Sequence, residues 1–247
     1  MPPDDRSDPT ALLDEVLACA ERTVATERAR IEFTRQMSVN WPEDASRRRR
    51  SGGLLRPVGK LAKTAGKAAA TAAWRHWIDS DPGHLQGEGV VEPHARRYIL
   101  DYGGFAELYR DGKRWGGVAG QPVGTRDPSP SDRNLDPLWL LDAPRGTTEA
   151  TLEGEEALHG TTCRRVAVRV DLARASALAP GGMRVPSVQR FEELTALPLT
   201  VWIDGEHVRR VRFTEGDVAA STMTLDLVEL DPDMGDLDWD RFPAFRA

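Results

Sequence analysis

Residues 197–213 read LPLTVWIDGEHVRRVRF, and this stretch decides the fold. Leu199, Val201 and Ile203 alternate with Thr200 and Trp202, the period of a strand with one buried face. Asp204-Gly205 marks a turn, and Val208 to Phe213 alternates again, which predicts an antiparallel hairpin. Downstream, Ser221 to Leu230 adds a strand with Met223, Leu225 and Leu227 on one face. Upstream, Thr148 to Leu152 and Arg164 to Val170 flank a His159-Gly160 turn, and Val166, Val168 and Val170 oppose Arg165, Arg169 and Asp171.

The same period recurs earlier. Ile31 and Phe33 alternate with charges in Ala29 to Arg35, and Tyr98 and Leu100 do so in the run ending at Leu100. Phe105 to Tyr109 and Arg114 to Val118 are joined by Asp111-Gly112, a strong hairpin signal. The Pro/Asp/Ser-rich residues 121–136 read as a loop, Leu138 to Leu141 as a short helix after Pro137, and Val188 to Leu194 as another. The chain opens with a helix over residues 8–28: Asp8-Pro9 supplies cap and first position, and Leu12, Leu13, Val16, Leu17, Ala20 and Val24 recur at helical spacing. The sum is one long helix and about nine antiparallel strands with no βαβ alternation. It predicts an α+β fold, a curved antiparallel half-barrel with helices across its concave face.

Residues 41–83 interrupt this pattern as an insertion. A four-Arg run and a Gly pair lead into an Ala- and Lys-rich stretch. Leu54, Val58, Leu61, Ala65, Ala68 and Ala72 form one stripe, Lys60, Lys63 and Lys67 another, and Trp74 and Trp77 end it. This predicts a basic amphipathic helix. Arg56, Lys60, Lys63, Lys67, Trp74 and Trp77 are its candidate contacts with an anionic membrane or a partner.

Composition narrows the function classes. A net charge of −6 argues against nucleic-acid binding. Two cysteines, Cys19 and Cys163, make neither a disulfide framework nor a metal cluster. The five histidines, His76, His84, His94, His159 and His207, show no metal-ligand spacing. There is no nucleophile elbow, phosphate-binding loop or dinucleotide fingerprint, and 231–236 lacks the later positions of a calcium loop. No catalytic residue, metal or cofactor is expected. Val16-Leu17-Ala18-Cys19 has the form of a lipobox, but MPPDDRSDPT before it is acidic and Asp14 and Glu15 break the apolar run. Cys19 is therefore expected on the face of a helix. The expected compartment is the cytoplasm, peripheral at the inner membrane face if the basic segment docks there.

DPLWLLDAPRGTTEATLEGEEALHGTTCRRVAVRVDLARA (136–175), LPLTVWIDGEHVRRVRF and STMTLDLVELD (221–231) together resemble the LppX/LprG family of actinobacterial lipoproteins, within the LolA/LolB-like lipoprotein-carrier superfamily. The Leu138–Leu141 helix, the double strand around His159 and the VWID hairpin carry the resemblance, with the opening helix and the Ile31-Glu32-Phe33 strand. It covers most of the chain and implies a single LolA-like domain over 1–247, whose concave face binds acyl chains of a lipid or an acylated partner. The missing export signal and the 41–83 insertion depart from the family.

The candidate concave-face residues are Ile31, Phe33, Tyr98, Leu100, Val166, Val168, Val170, Val201, Ile203, Val211, Phe213, Met223, Leu225 and Leu227. They predict non-enzymatic binding of a hydrophobic molecule. Two alternatives stay open: a protein-interaction module with a self-filled cavity, and an enzyme on the same fold without a motif. The last needs a polar cluster in the concavity, and the inward positions read nearly all apolar. Trp202, pointing away from Val201 and Ile203, is the candidate for a protein interface or for a site under a covering loop.

Overall fold

The computed structural model describes residues 9–39, 84–103, 105–118, 121–126, 137–179, 196–215 and 219–234. Its frame is one open, curved, fully antiparallel sheet of eleven strands. The strands are β1 (Ala29–Val39), β2 (His84–Glu92), β3 (Arg97–Asp101), β4 (Phe105–Arg110), β5 (Lys113–Val118), β6 (Gln121–Arg126), β7 (Thr147–Leu158), β8 (Thr161–Asp171), β9 (Ala196–Ile203), β10 (Val208–Glu215) and β11 (Ala219–Leu230). The helices are α1 (Pro9–Ala25), α2 (Leu138–Asp142), continued by a 3-10 turn over Ala143–Gly146, and α3 (Leu172–Leu178).

The strand order is β6-β5-β4-β3-β2-β1-β11-β10-β9-β8-β7. The sheet is thus two meanders, and the first and last strands join them at its centre. Eleven residue pairs, from Ala29 opposite Leu230 to Val39 opposite Ala219, make that seam, with one bulge at Arg30/Ile31.

Two elements differ from the sequence reading. Gln121–Arg126 is a strand rather than loop, and among the described residues it pairs with β5 alone, at the sheet edge. Pro122 lacks an N–H, and an edge strand is where a ladder tolerates that loss. Leu172–Leu178 is a helix that the alternation does not announce; Asp171 caps it by accepting from the Arg174 amide at 2.9 Å. Residues 40–83 and 188–194 lie outside the described residues, and with them the predicted basic helix, its contact residues Arg56, Lys60, Lys63, Lys67, Trp74 and Trp77, and the second short helix.

α1 buries Leu12, Val16, Cys19, Ala20, Thr23 and Val24, while Leu13 and Leu17 stay half-buried. Its C-terminal end is held to the β9–β10 turn by named bonds. Thr23 Oγ1 accepts the Val208 amide at 2.8 Å, and Arg22 donates to the carbonyls of Glu206 at 2.6 Å and Gly205 at 3.0 Å. Arg145 of the 3-10 turn grips Glu21 of α1 at 2.9 and 3.0 Å, and Arg164 of β8 pairs with Glu15. The 3-10 turn lies so close to α3 that a Cβ on Gly146 would come within 2.4 Å of the Asp171 carbonyl oxygen.

The β9–β10 turn is itself organised by Asp204. Its carboxylate accepts from the amides of Glu206 (2.9 Å) and His207 (2.7 Å) and from Arg209 (2.5 Å). Burial raises this carboxyl, but the His207 amide, Arg209 and the Glu206 amide together hold it below its ordinary value.

Two predictions follow from this anchoring. Thr23→Val leaves the buried Val208 N–H without an acceptor and should cost about 1–3 kcal/mol in urea denaturation, whereas Thr23→Ser should restore most of it. A carboxyl held low in the folded state stabilises above its unfolded value and stops doing so as pH falls through the folded one. Stability should therefore drop below about pH 4, and Asp204→Asn should flatten that part of the profile.

Candidate functional site

All fourteen inward positions read from the sequence are at most 4% exposed and belong to one core cluster. The cross-strand register explains the convergence: Ile31 leads β1 with Phe33 opposite Leu225, Val211 also faces Leu225, Val201 faces Val211, and Val166 faces Val201. One row of the pleat therefore carries apolar side chains inward from β1 to β8. Leu12, Val16, Cys19 and Ala20 of α1, Leu138 to Leu141 of α2, and Ala175 of α3 belong to the same cluster. The helices pack chiefly on β7, β8 and β10.

On the other half of the inner face, aromatic rings do the packing. Tyr98 stacks on Tyr109 with centroids 5.5 Å apart. The Tyr102 ring lies over Gly87, where a Cβ would sit 2.6 Å from it. Gly87 shares the inward face of β2 with Gly89 and Val91, each opposite an inward residue of β1.

The inner face is less uniformly apolar than the sequence reading held. Glu107 of β4 is 1% exposed, lies opposite Leu100, and accepts from the Tyr98 hydroxyl. Asp142 at the end of α2 is fully buried and pairs with Arg96, in the β2–β3 turn, at 2.5 Å. The Trp139 indole ring meets Phe213 edge-on at 5.5 Å, while its buried N–H has no hydrogen-bond partner among the described residues. Sequence alternation missed Glu107 because β4 (FAELYR) has apolar residues at both parities, Ala106 and Leu108 at one and Phe105 and Tyr109 at the other, which leaves its inward side open. Its position opposite Leu100 appears only with the register.

The outer face decides between the two readings of Trp202 in favour of a covered site. This side chain does point away from Val201 and Ile203, but it is 1% exposed and forms no open interface. The guanidinium groups of Arg210 and Arg212 lie over its ring at 5.3 and 4.9 Å. Its indole N–H donates to Glu156 at 2.8 Å, and Leu158 and Cys163 complete a small satellite core. The cover is two arginine side chains and the tip of the β7–β8 hairpin, which a local reading has no means to place. Arg210 also makes a two-pronged pair with Asp226 and reaches Glu156 at 3.4 Å. At the end of β2, buried Glu92 pairs with the partly exposed Arg28 and Arg97.

Cys19 is buried on α1, as expected for a helix-face residue, and Cys163 lies under Trp202. Burial pushes both thiols above their ordinary range, against the opposing pull of Arg22 at Cys19 and of Arg209 and Arg210 at Cys163. No described helix is long and apolar enough to cross a membrane. Among the described residues one group has metal-ligand proximity, Glu32, His159 and Asp226, all on the outer side.

These features define an α+β open half-barrel with an apolar inner face. No family model and no curated protein matches the sequence. Solved structures do. The chain is similar to the Mycobacterium tuberculosis lipoprotein LppX, with 14% identity over 92% of this chain and 99% of that one, and a TM-score of 0.48. LprF from Mycobacterium bovis follows at 12% identity, 89% and 94% coverage and 0.46. A LolA superfamily protein from Nitrosomonas europaea shows 8% identity, 90% and 95% coverage and 0.32.

The thiols give a direct check on the buried faces. A thiolate-specific reagent at pH 8 should find no fast-reacting cysteine in the native protein and both after denaturation, because burial disfavours the reactive thiolate.

Proposed function

We propose that the chain is a non-enzymatic binding protein for a hydrophobic, acyl-type molecule or an acylated partner, held on the inner face of the half-barrel. The observation that carries this reading is Trp139. Its N–H is buried in a predominantly apolar surround and unpaired among the described residues, and an unpaired buried donor costs free energy. An ester or carboxyl oxygen at the head of an acyl chain supplies the acceptor, while each methylene leaving water for the inner face contributes about 0.8 kcal/mol. By name, LppX is a lipoprotein and the Nitrosomonas europaea protein a LolA superfamily protein.

A second reading is favoured by the close packing of α1, α2 and α3 into the same core. Here the helices fill the concavity and the protein works as an interaction module. A cytoplasmic location, and contact of the basic 41–83 segment with an anionic membrane, belong to the proposal on sequence grounds alone.

Native mass spectrometry of freshly purified protein, with organic extraction of the same sample, separates the readings. A hydrophobic species seen in both supports the binding protein. Trp139→Phe should then weaken its uptake by about 1 kcal/mol, roughly fivefold in Kd. A mass equal to the polypeptide with nothing extracted overturns that reading in favour of the interaction module. Inward charges such as Leu225→Glu do not discriminate, because a buried, unpaired carboxylate unfolds either version.

A further inference from the structure

We propose that Glu32, His159 and Asp226 form a binding site for one divalent cation of the zinc class on the outer face of the sheet. One ligand atom from each lies within 4.8 Å of the others, so small side-chain rotations close the set onto a common centre at the ~2.0–2.2 Å that zinc takes with nitrogen and oxygen. The three residues come from distant parts of the chain. Glu32 and Asp226 face each other directly across the β1–β11 seam, on the side away from Ile31, Phe33, Leu225 and Leu227.

His159 arrives from the tip of the β7–β8 hairpin. A register shift at Leu152/Gly154, with Gly154 at φ +148°, bends that hairpin. Its far end folds across the outer face, as the bonds from Glu156 to Trp202 and Arg210 show. A bulge used this way re-aims a side chain.

The charge of the surroundings asks for a cation. The register lines up Asp101, Glu88, Glu32 and Asp226 as one transverse row of carboxylates across β3, β2, β1 and β11. Like charges directly opposite one another are destabilising. Asp226 is compensated by Arg210. Glu32 has no hydrogen bond or ion pair among the described residues, although a carboxylate faces it from each neighbouring strand. His159 has none either.

Asp226 remains able to ligate. The two Arg210 bonds take one lone pair on each oxygen and leave the others open. Arg210 thereby fixes the carboxylate's orientation, as outer-shell partners of metal ligands do. One imidazole and two carboxylates make three protein ligands with a position open to water. That set suits zinc and its first-row neighbours, whereas calcium asks for six to eight oxygens.

The test is equilibrium dialysis of the chelator-treated full chain against zinc, read by elemental analysis, with cobalt substitution read by its visible spectrum. The expected result is one saturable equivalent, weakened about tenfold or more by Glu32→Gln and by His159→Gln. Neither side chain has a partner to lose, so neither variant should lower the metal-free melting temperature, and Glu32→Gln should raise it slightly by relieving the carboxylate row. Absence of saturable binding to the wild-type chain, or binding unchanged in either variant, overturns the site.

Discussion

The seam between β1 and β11 is the constraint on which the rest depends. It joins two meanders that among the described residues share no other strand pairing, and it places the first strand and the last at the centre of the sheet. Because side chains alternate with period two, a slip of one residue would turn one strand over against the other, sending Ile31 and Phe33 outward and Glu32 into the core, or Leu225 and Leu227 outward and Asp226 into the core. The seam is pinned at its end: the Arg28 amide donates to the Asp231 carboxylate at 3.1 Å, and the Asp231 amide returns to the Arg28 carbonyl at 2.8 Å. Only residues 26–28 separate α1 from β1, so fixing β1 also fixes where α1 lies on the inner face.

The two faces divide the chemistry. Inside, apolar side chains from most of the strands meet three helices, and the few polar groups are mostly paired: Tyr98 with Glu107, Arg96 with Asp142. Outside, arginines shield a tryptophan and neutralise some of the acids, and the hairpin tip folds over both. A buried charge without a partner would be costly, and the arginines that meet Glu92 and Asp226 remove that cost.

The inner face was legible in the sequence because a strand buried on one side writes its parity into every second residue. All fourteen positions assigned from that alternation lie in the core, and the Asp204-Gly205 and His159-Gly160 turns fall where they were read. What escaped is either too short or too distant for a local rule. α3 spans seven residues, and β6 contains a proline that ordinarily speaks against a strand. Glu107, the cover over Trp202 and the grouping of His159 with Glu32 and Asp226 depend on contacts between strands far apart in the chain. The order of the sheet escaped for the same reason, since a single meander and two meanders joined at β1 and β11 have the same local pattern.

Among the described residues the sheet ends in two unpaired edges, and both are guarded. β6, at one end, carries Pro122, which removes a donor from the rim. β7, at the other, sets the exposed carboxylates of Glu149, Glu153 and Glu155 along its twelve residues. Strand-to-strand docking of a second copy would bring like charges together at one rim and meet a missing hydrogen bond at the other. A sheet that stays open is thereby kept from growing into a fibre along its rims.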